Sequence, residues 1–243
     1  MPRRQDVTEF DLRPGRKLGS RYEVVEFLGR GWEGEVYKVV ETATGIERAA
    51  KLFFPQRNPR GKALRQYAQK LNKLKHVPVI MQYHHRDTAR VRRRVVEFMV
   101  SEYVDGEMLS AFLNKQPGKR FTSFEALHIL YALASGVEPI HRAGEYHGDL
   151  HSDNVIIRQR GIEYEVKLLD FFDLGRPSRQ KIHNDVADLV YILYELVGGK
   201  KHYRNTGPEI KGLVKGLKFT RIIEQMKTAS DVRQEIENVE WSS

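Results

Sequence analysis

The chain has 243 residues, of which 40% are hydrophobic, a net charge of +9 and no cysteine. That length and apolar share suffice for one or two compact domains with a true core. The missing thiols exclude a disulfide framework and any thiolate metal or nucleophile site. No apolar run reaches the span of a bilayer, and the N-terminus MPRRQDVTEF has no apolar h-region behind its arginines, so a cytoplasmic location is expected. The positive charge would suit an acidic partner. The basic residues are nevertheless spread along the chain, densest at 13–21, 57–75 and 90–94, and none of these knots forms a nucleic-acid reading motif.

In chain order, residues 22–40 and 46–54 are rich in β-branched and aromatic side chains, and ETATG between them carries turn chemistry, which predicts antiparallel strands joined by hairpins. Residues 61–76 place Leu64, Tyr67, Ala68, Leu71 and Leu74 at helical spacing, with Pro78 just beyond, which predicts one helix. Two further strands are expected at 78–84 and 94–103, separated by the polar HRDTARVRRR, before VDGE breaks the pattern. From 107 onward helices take over, at 107–115, at 123–143 with Ser123 as N-cap, and at 185–197 ending at Gly198 and Gly199. A short hairpin of 154–157 and 165–169 lies between them, and TASDVRQEIENV near the C-terminus reads as a capped helix. There is no internal repeat and no low-complexity segment.

Three short stretches carry chemistry. LGRGWEGEVYKV holds Gly29, Gly31 and Gly34 in the spacing G-x-G-x-x-G, with Val36 two residues later. Dinucleotide folds also use this spacing, but there the glycines lead into a helix, whereas strand-like sequence continues here through EVYKVV. In ERAAKLFF, Lys51 sits on an otherwise apolar strand, where a buried ammonium is costly without an anion; a strand-end lysine that snorkels to solvent is the alternative. The stretch HGDLHSDN packs acids, imidazoles and an amide into one loop directly after a predicted helix.

Taken together, GRGWEGEV, AAK, MVSEYVDG, HGDLHSDN, KLLDFF and DVADLVYILYEL occur in the order and at the spacing of eukaryotic-like protein kinases, and the chain resembles a small member of that superfamily over residues 22–199. The resemblance implies an α+β, bilobal protein kinase-like fold: a basic N-terminal extension at 1–21, a β-rich N-lobe with one helix at 22–100, a hinge at 101–107 and a reduced, mainly helical C-lobe at 108–243. It implies ATP and Mg as cofactors, lying between the lobes, and a protein substrate, acidic if the basic surfaces serve for docking. Phosphates would lie under Gly29, Gly31 and Gly34 and against Lys51, and adenine under Val36 and Ala49, meeting the backbone of Glu102 and Val104 beside Ser101. Asp149 would act on the substrate hydroxyl, while Asn154 and Asp170 would hold the metal. His147 matches a histidine that orients this loop. His151 stands where a phosphate-contacting lysine is usual, and either that role or a plain loop histidine is open.

The chain also departs from the family pattern. No Glu occurs between residues 52 and 96 to pair with Lys51; Tyr67 falls nearest the expected place, with Gln66 and Gln69 as substitutes. Gly148 replaces the loop arginine that reads activation-segment phosphorylation, DFF replaces DFG, and A-P-E is absent from a short segment in which Ser178 is the sole hydroxyl residue of 171–184. HGDLH followed by DFFD also resembles small-molecule kinases of the aminoglycoside and choline type, in which Asp173 would assist Asp170. A nucleotide-binding scaffold without turnover, a pseudokinase, is the third reading.

Overall fold

The computed structural model describes residues 6–171 and 175–240. The chain divides into two compact units, one of residues up to 76 together with 81–104, the other of 77–80 together with residues from 105 onward. The first is built around a β-sheet and the second is mainly helical, so the fold is mixed α+β.

In the first unit, β1 (Lys17–Leu18), β2 (Tyr22–Arg30), β3 (Gly34–Glu41), β4 (Glu47–Phe53), β5 (Tyr83–Val91) and β6 (Arg94–Glu102) form an antiparallel sheet in the order β1-β2-β3-β4-β6-β5. The period-two alternation of strands sorts the side chains. Tyr37, Val39, Ala50, Leu52, Phe98 and Val100 face one core. Their sequence neighbours occupy the other face, where Val36 pairs with Lys51, Lys51 with Met99, and Ala49 with Ser101. Helix α1 (Lys62–Lys73) belongs to this unit and buries Leu64, Tyr67 and Leu71.

Residues 7–18 lie across the first of these faces, and Phe10, Leu12 and Leu18 complete its core. The Phe10 ring packs on Phe54 with centroids 5.2 Å apart. Glu35 is fully buried there, and an unpaired carboxylate at such a depth would be strongly destabilising. It is satisfied by the Phe10 amide at 3.0 Å, by Arg30 Nε at 2.7 Å and by the Tyr37 hydroxyl, which in turn accepts from the Leu12 amide at 3.1 Å. Burial, and then the bond to Glu35, push the Tyr37 hydroxyl above its ordinary pKa, which keeps it a donor.

The expected strand at 78–84 is displaced. The strand begins at Tyr83 and runs through HRDTAR, which the sequence suggests is a connection. This is an edge strand with alternating exposure, and charged residues are favoured on an edge because they discourage further pairing. Arg92 and Arg93, both at positive φ (45° and 67°), make the two-residue turn into β6. Residues 77–80 belong instead to the second unit, where Leu168 N donates to Val79 O at 2.8 Å.

The second unit runs β7 (Glu107–Met108), α2 (Leu109–Lys115), α3 (Ser123–Arg142), β8 (Val155–Arg160), β9 (Glu163–Leu168), α4 (Arg179–Leu196), α5 (Gly199–His202), α6 (Pro208–Val214), α7 (Phe219–Gln225) and α8 (Ala229–Glu237). The β strands form a small sheet in the order β7-β8-β9. Thr122, not Ser123, caps α3: its extended backbone lets its hydroxyl accept from Glu125 N while the Glu125 carboxylate accepts from Thr122 N. Helix α4 starts well before residue 185 because Ser178 caps it, accepting from Lys181 N at 3.3 Å. Thr228 and Asp231 form the same kind of box at α8. No described helix is long and apolar enough to cross a membrane.

Candidate active site

The glycines lie in a β2–β3 hairpin, with Gly29 opposite Val36 and Gly31 N donating to Gly34 O at 2.9 Å. The strand that follows them is the arrangement expected of a phosphate-covering loop and the opposite of the strand-to-helix turn of dinucleotide folds. The three glycines have different reasons. A Cβ on Gly34 would fall 1.9 Å from Leu52 O, so this position answers to close packing on β4. A Cβ on Gly29 or Gly31 would meet nothing within 4 Å among the described residues, so packing does not demand a glycine at either position.

Lys51 is nearly buried on β4, on the face shared by Val36 and Ala49. Its ammonium lies 2.9 Å from Glu33 Oε2, an acid at the tip of the glycine hairpin, and 5.0 Å from the centroid of the Tyr67 ring. Tyr67 therefore fills the place on α1 where the resemblance implies a glutamate, and its ring face offers the cation a quadrupole instead of a charge. Gln69 is exposed. Glu33 was not singled out by sequence reasoning, although its signal was present: a buried ammonium needs an anion, and the adjacent motif holds one. Ser101 and Glu102 end β6; the Glu102 amide donates to Gln82 O at 2.8 Å, so hydrogen bonding from the Glu102 backbone to a ligand would fall to its carbonyl.

In the second unit, the loop between α3 and β8 brings Asp149, His151 and Asn154 together. Asn154 Nδ2 donates to Asp149 O at 2.9 Å and to Asp149 Oδ2 at 3.1 Å, and it lies 2.9 Å from His151 Nε2. Those bonds turn the amide so that Oδ1, a hard oxygen donor, remains for a cation. His151 Nε2 is 3.6 Å from Asp149 Oδ2, and its Nδ1 caps the turn at Asp153. His147 is buried and orients the loop, as its position implies: Nε2 donates to Leu169 O at 2.8 Å, and Nδ1 accepts from Asp149 N at 3.3 Å. Its ring also packs on Phe171 with centroids 4.5 Å apart. Asp170 follows β9 in the left-handed region at φ 47°, a conformation Asp tolerates better than most residues. Two protein oxygens, from Asn154 and Asp170, suit magnesium, which keeps several waters and takes its other ligands from substrate phosphates. Phe172 and Asp173 lie outside the described residues.

The support beneath this loop is Asp185 of α4, fully buried. Its Oδ2 accepts from His147 N at 2.6 Å and lies 3.2 Å from His141 Nε2, while its Oδ1 accepts from Gly148 N at 2.8 Å. His141 Nδ1 accepts from Ala229 N at 3.1 Å, so α3, α4, α8 and the loop converge on one carboxyl group. Gly148 sits at φ 88°, which explains why a residue without Cβ stands there.

One turn further along α4, Asp188 is half-buried, and burial, then the charges of Asp185 and Asp149, push its pKa up to about 7 from 3.8. Between about pH 4 and 7 the native state thus holds a proton that the unfolded chain has lost, so this residue makes stability fall as pH rises through that window. Asp188→Asn is expected to flatten the difference. Urea unfolding at pH 5 and pH 8 should show the variant gaining on the parent by about 1–2 kcal/mol at the higher pH, a figure discounted for partial solvent screening. An equal gain at both pH values would show that charge is not the cause.

A model of the protein kinase domain matches residues 22–232, and the chain belongs to the protein kinase family. It is 32% identical over 161 residues to a probable serine/threonine-protein kinase of Streptomyces coelicolor, covering 64% of this chain and 23% of that protein. It is 29% identical over 203 residues to cell division control protein 2 homolog 3 of Trypanosoma brucei brucei, covering 78% and 61%. With CBL-interacting protein kinase 30 of Oryza sativa subsp. japonica it shares 31% over 188 residues, covering 73% and 37%. The chain thus spans less than two thirds of the length of these relatives. Among solved structures, the PknI kinase domain of Mycobacterium tuberculosis aligns over 93% of this chain and 97% of its own, with a TM-score of 0.65 at 19% identity, a likeness of fold.

Proposed function

We propose that this chain is an ATP- and magnesium-dependent protein kinase that transfers the γ-phosphate to a serine or threonine hydroxyl. The observation that carries this is the Asp149–Asn154 pair, bonded at 2.9 and 3.1 Å on a loop held by a buried carboxylate. In this reading Asp149 accepts or orients the proton of the acceptor hydroxyl. Asn154 Oδ1 and Asp170 hold the metal, which when bound neutralises charge on the phosphates. Lys51 steadies the nucleotide phosphates, Gly29, Gly31 and Gly34 supply the hairpin over them, and Val36, Ala49, Glu102 and Val104 receive the adenine. The names of the relatives favour a protein acceptor over a small alcohol.

Because Gly148 cannot read a phosphate and the Ser178 hydroxyl already caps α4, the activity requires no phosphorylation within 171–184. The acceptor is an acidic protein that docks on basic surface, although part of that charge is already answered within the chain, as where Arg92 lies 3.9 Å from Glu9 and 3.8 Å from Asp11. The test is purified protein with γ-labelled ATP, with and without magnesium, offered acidic proteins, aminoglycosides and choline. Magnesium-dependent label on serine or threonine is expected. Label on the small alcohols alone, or none on any acceptor, would replace this reading with the small-molecule kinase or the pseudokinase respectively.

A further inference from the structure

The tip of the glycine hairpin is held from several directions. Glu33 O accepts from Phe54 N at 2.8 Å at the end of β4, and the Arg57 guanidinium lies 3.8 Å from the Trp32 ring centroid. At the hairpin's base, Arg30 and buried Glu35 are tied to each other at 2.7 Å. With its backbone so fixed, Glu33 directs its carboxylate at Lys51, 2.9 Å away, and the side chains of that pair are only 16% and 9% exposed. Nothing on α1 competes for this role, since the helix KALRQYAQKLNK has no acid and presents Tyr67 to the ammonium.

An acid in this place has a consequence that an acid on α1 would not. It rides on the same hairpin whose bare glycine backbone would cover the phosphates, so a carboxylate and a polyphosphate are directed to one ammonium. Two anions held that close repel, and in a site shielded from water the repulsion is poorly screened. We infer that Glu33 is a built-in competitor of the nucleotide phosphates: it pairs with Lys51 in the empty protein and must release it when a polyphosphate nucleotide enters. The inference rests on the reading of the site as one for ATP. It gives the hairpin a latch whose opening is coupled to the phosphates and indifferent to the nucleoside.

The experiment measures binding of ATP, ADP and adenosine to the parent, Glu33→Gln and Glu33→Ala by calorimetry, with thermal midpoints to verify folding. Both variants should bind ATP about five- to tenfold more tightly, ADP less so, and adenosine as the parent does. Equal or weaker ATP binding by the variants would overturn the latch and leave the kinase reading standing. Absence of binding by parent and variants alike would overturn both. A second readout needs no nucleotide: trace acetylation with acetic anhydride at fixed pH, followed by mass spectrometry. It should find Lys51 several-fold more reactive in Glu33→Ala than in the parent, and ATP should restore protection. Unchanged reactivity of Lys51 would mean that Glu33 does not hold it.

Discussion

Asp149→Asn is expected to lower phosphoryl transfer by roughly 10²- to 10⁴-fold, the range typical of losing a positioned base, while leaving ATP affinity within a few-fold of the parent. The separation of the two effects follows from the geometry. The Asp149 side chain is 42% exposed and accepts one bond from Asn154 Nδ2, while the second Asn154 bond goes to the Asp149 backbone carbonyl and survives the change, so an amide in its place costs little stability. Asn154→Ala should act differently, because it removes both the tie to Asp149 and the oxygen available to a cation. Its rate should fall by a similar factor, and its dependence on magnesium should move to higher concentration. Single-turnover transfer with saturating ATP distinguishes these cases. If Asp149→Asn turns over as fast as the parent, Asp149 is not the base.

The parts of this site that were readable from sequence are those whose logic is local. Asp149 and Asn154 lie five residues apart on one turn, and the glycine spacing sits inside a single hairpin, so residue type and spacing suffice to suggest them. Glu33 and Lys51 are 18 residues apart, and their meeting depends on the tip of the hairpin folding down onto β4, which no periodicity announces. The edge strand β5 departs from its expected bounds because its exposed positions carry His, Arg and Thr, the composition of a loop, and only its place at the sheet margin makes those residues reasonable in a strand. The segment at 7–18 reads as a basic extension by charge, while the apolar Phe10, Leu12 and Leu18 that bury it are too few to show a period. Thr122 and Ser123 are equally good caps by type; the backbone angles of Thr122 decided between them.

Asp185 shows the same limit most strongly, because its partners are backbone amides 38 and 37 residues earlier, and amides leave no trace in a sequence. Asp185→Ala is expected to cost on the order of 3–5 kcal/mol of folding stability. It would strand the buried His147 N and His141 ring and the part-buried Gly148 N, and an unsatisfied buried donor bears its whole desolvation penalty. Asp185→Asn keeps the volume and one acceptor oxygen, but it must turn an NH₂ toward one of the same donors, so an intermediate loss of about 2 kcal/mol is expected. Urea unfolding of parent, Asn and Ala variants gives the ranking directly, and hydrogen exchange at the amides of His147 and Gly148 gives its location. Exchange at those two amides should rise well beyond the global change in the Asn variant, since the loop loses its support while α3 and α4 remain packed. Should the Ala variant lie within 1 kcal/mol of the parent, water is replacing the carboxylate, and the loop that carries Asp149 and Asn154 then owes its shape to His147 and its bond to Leu169.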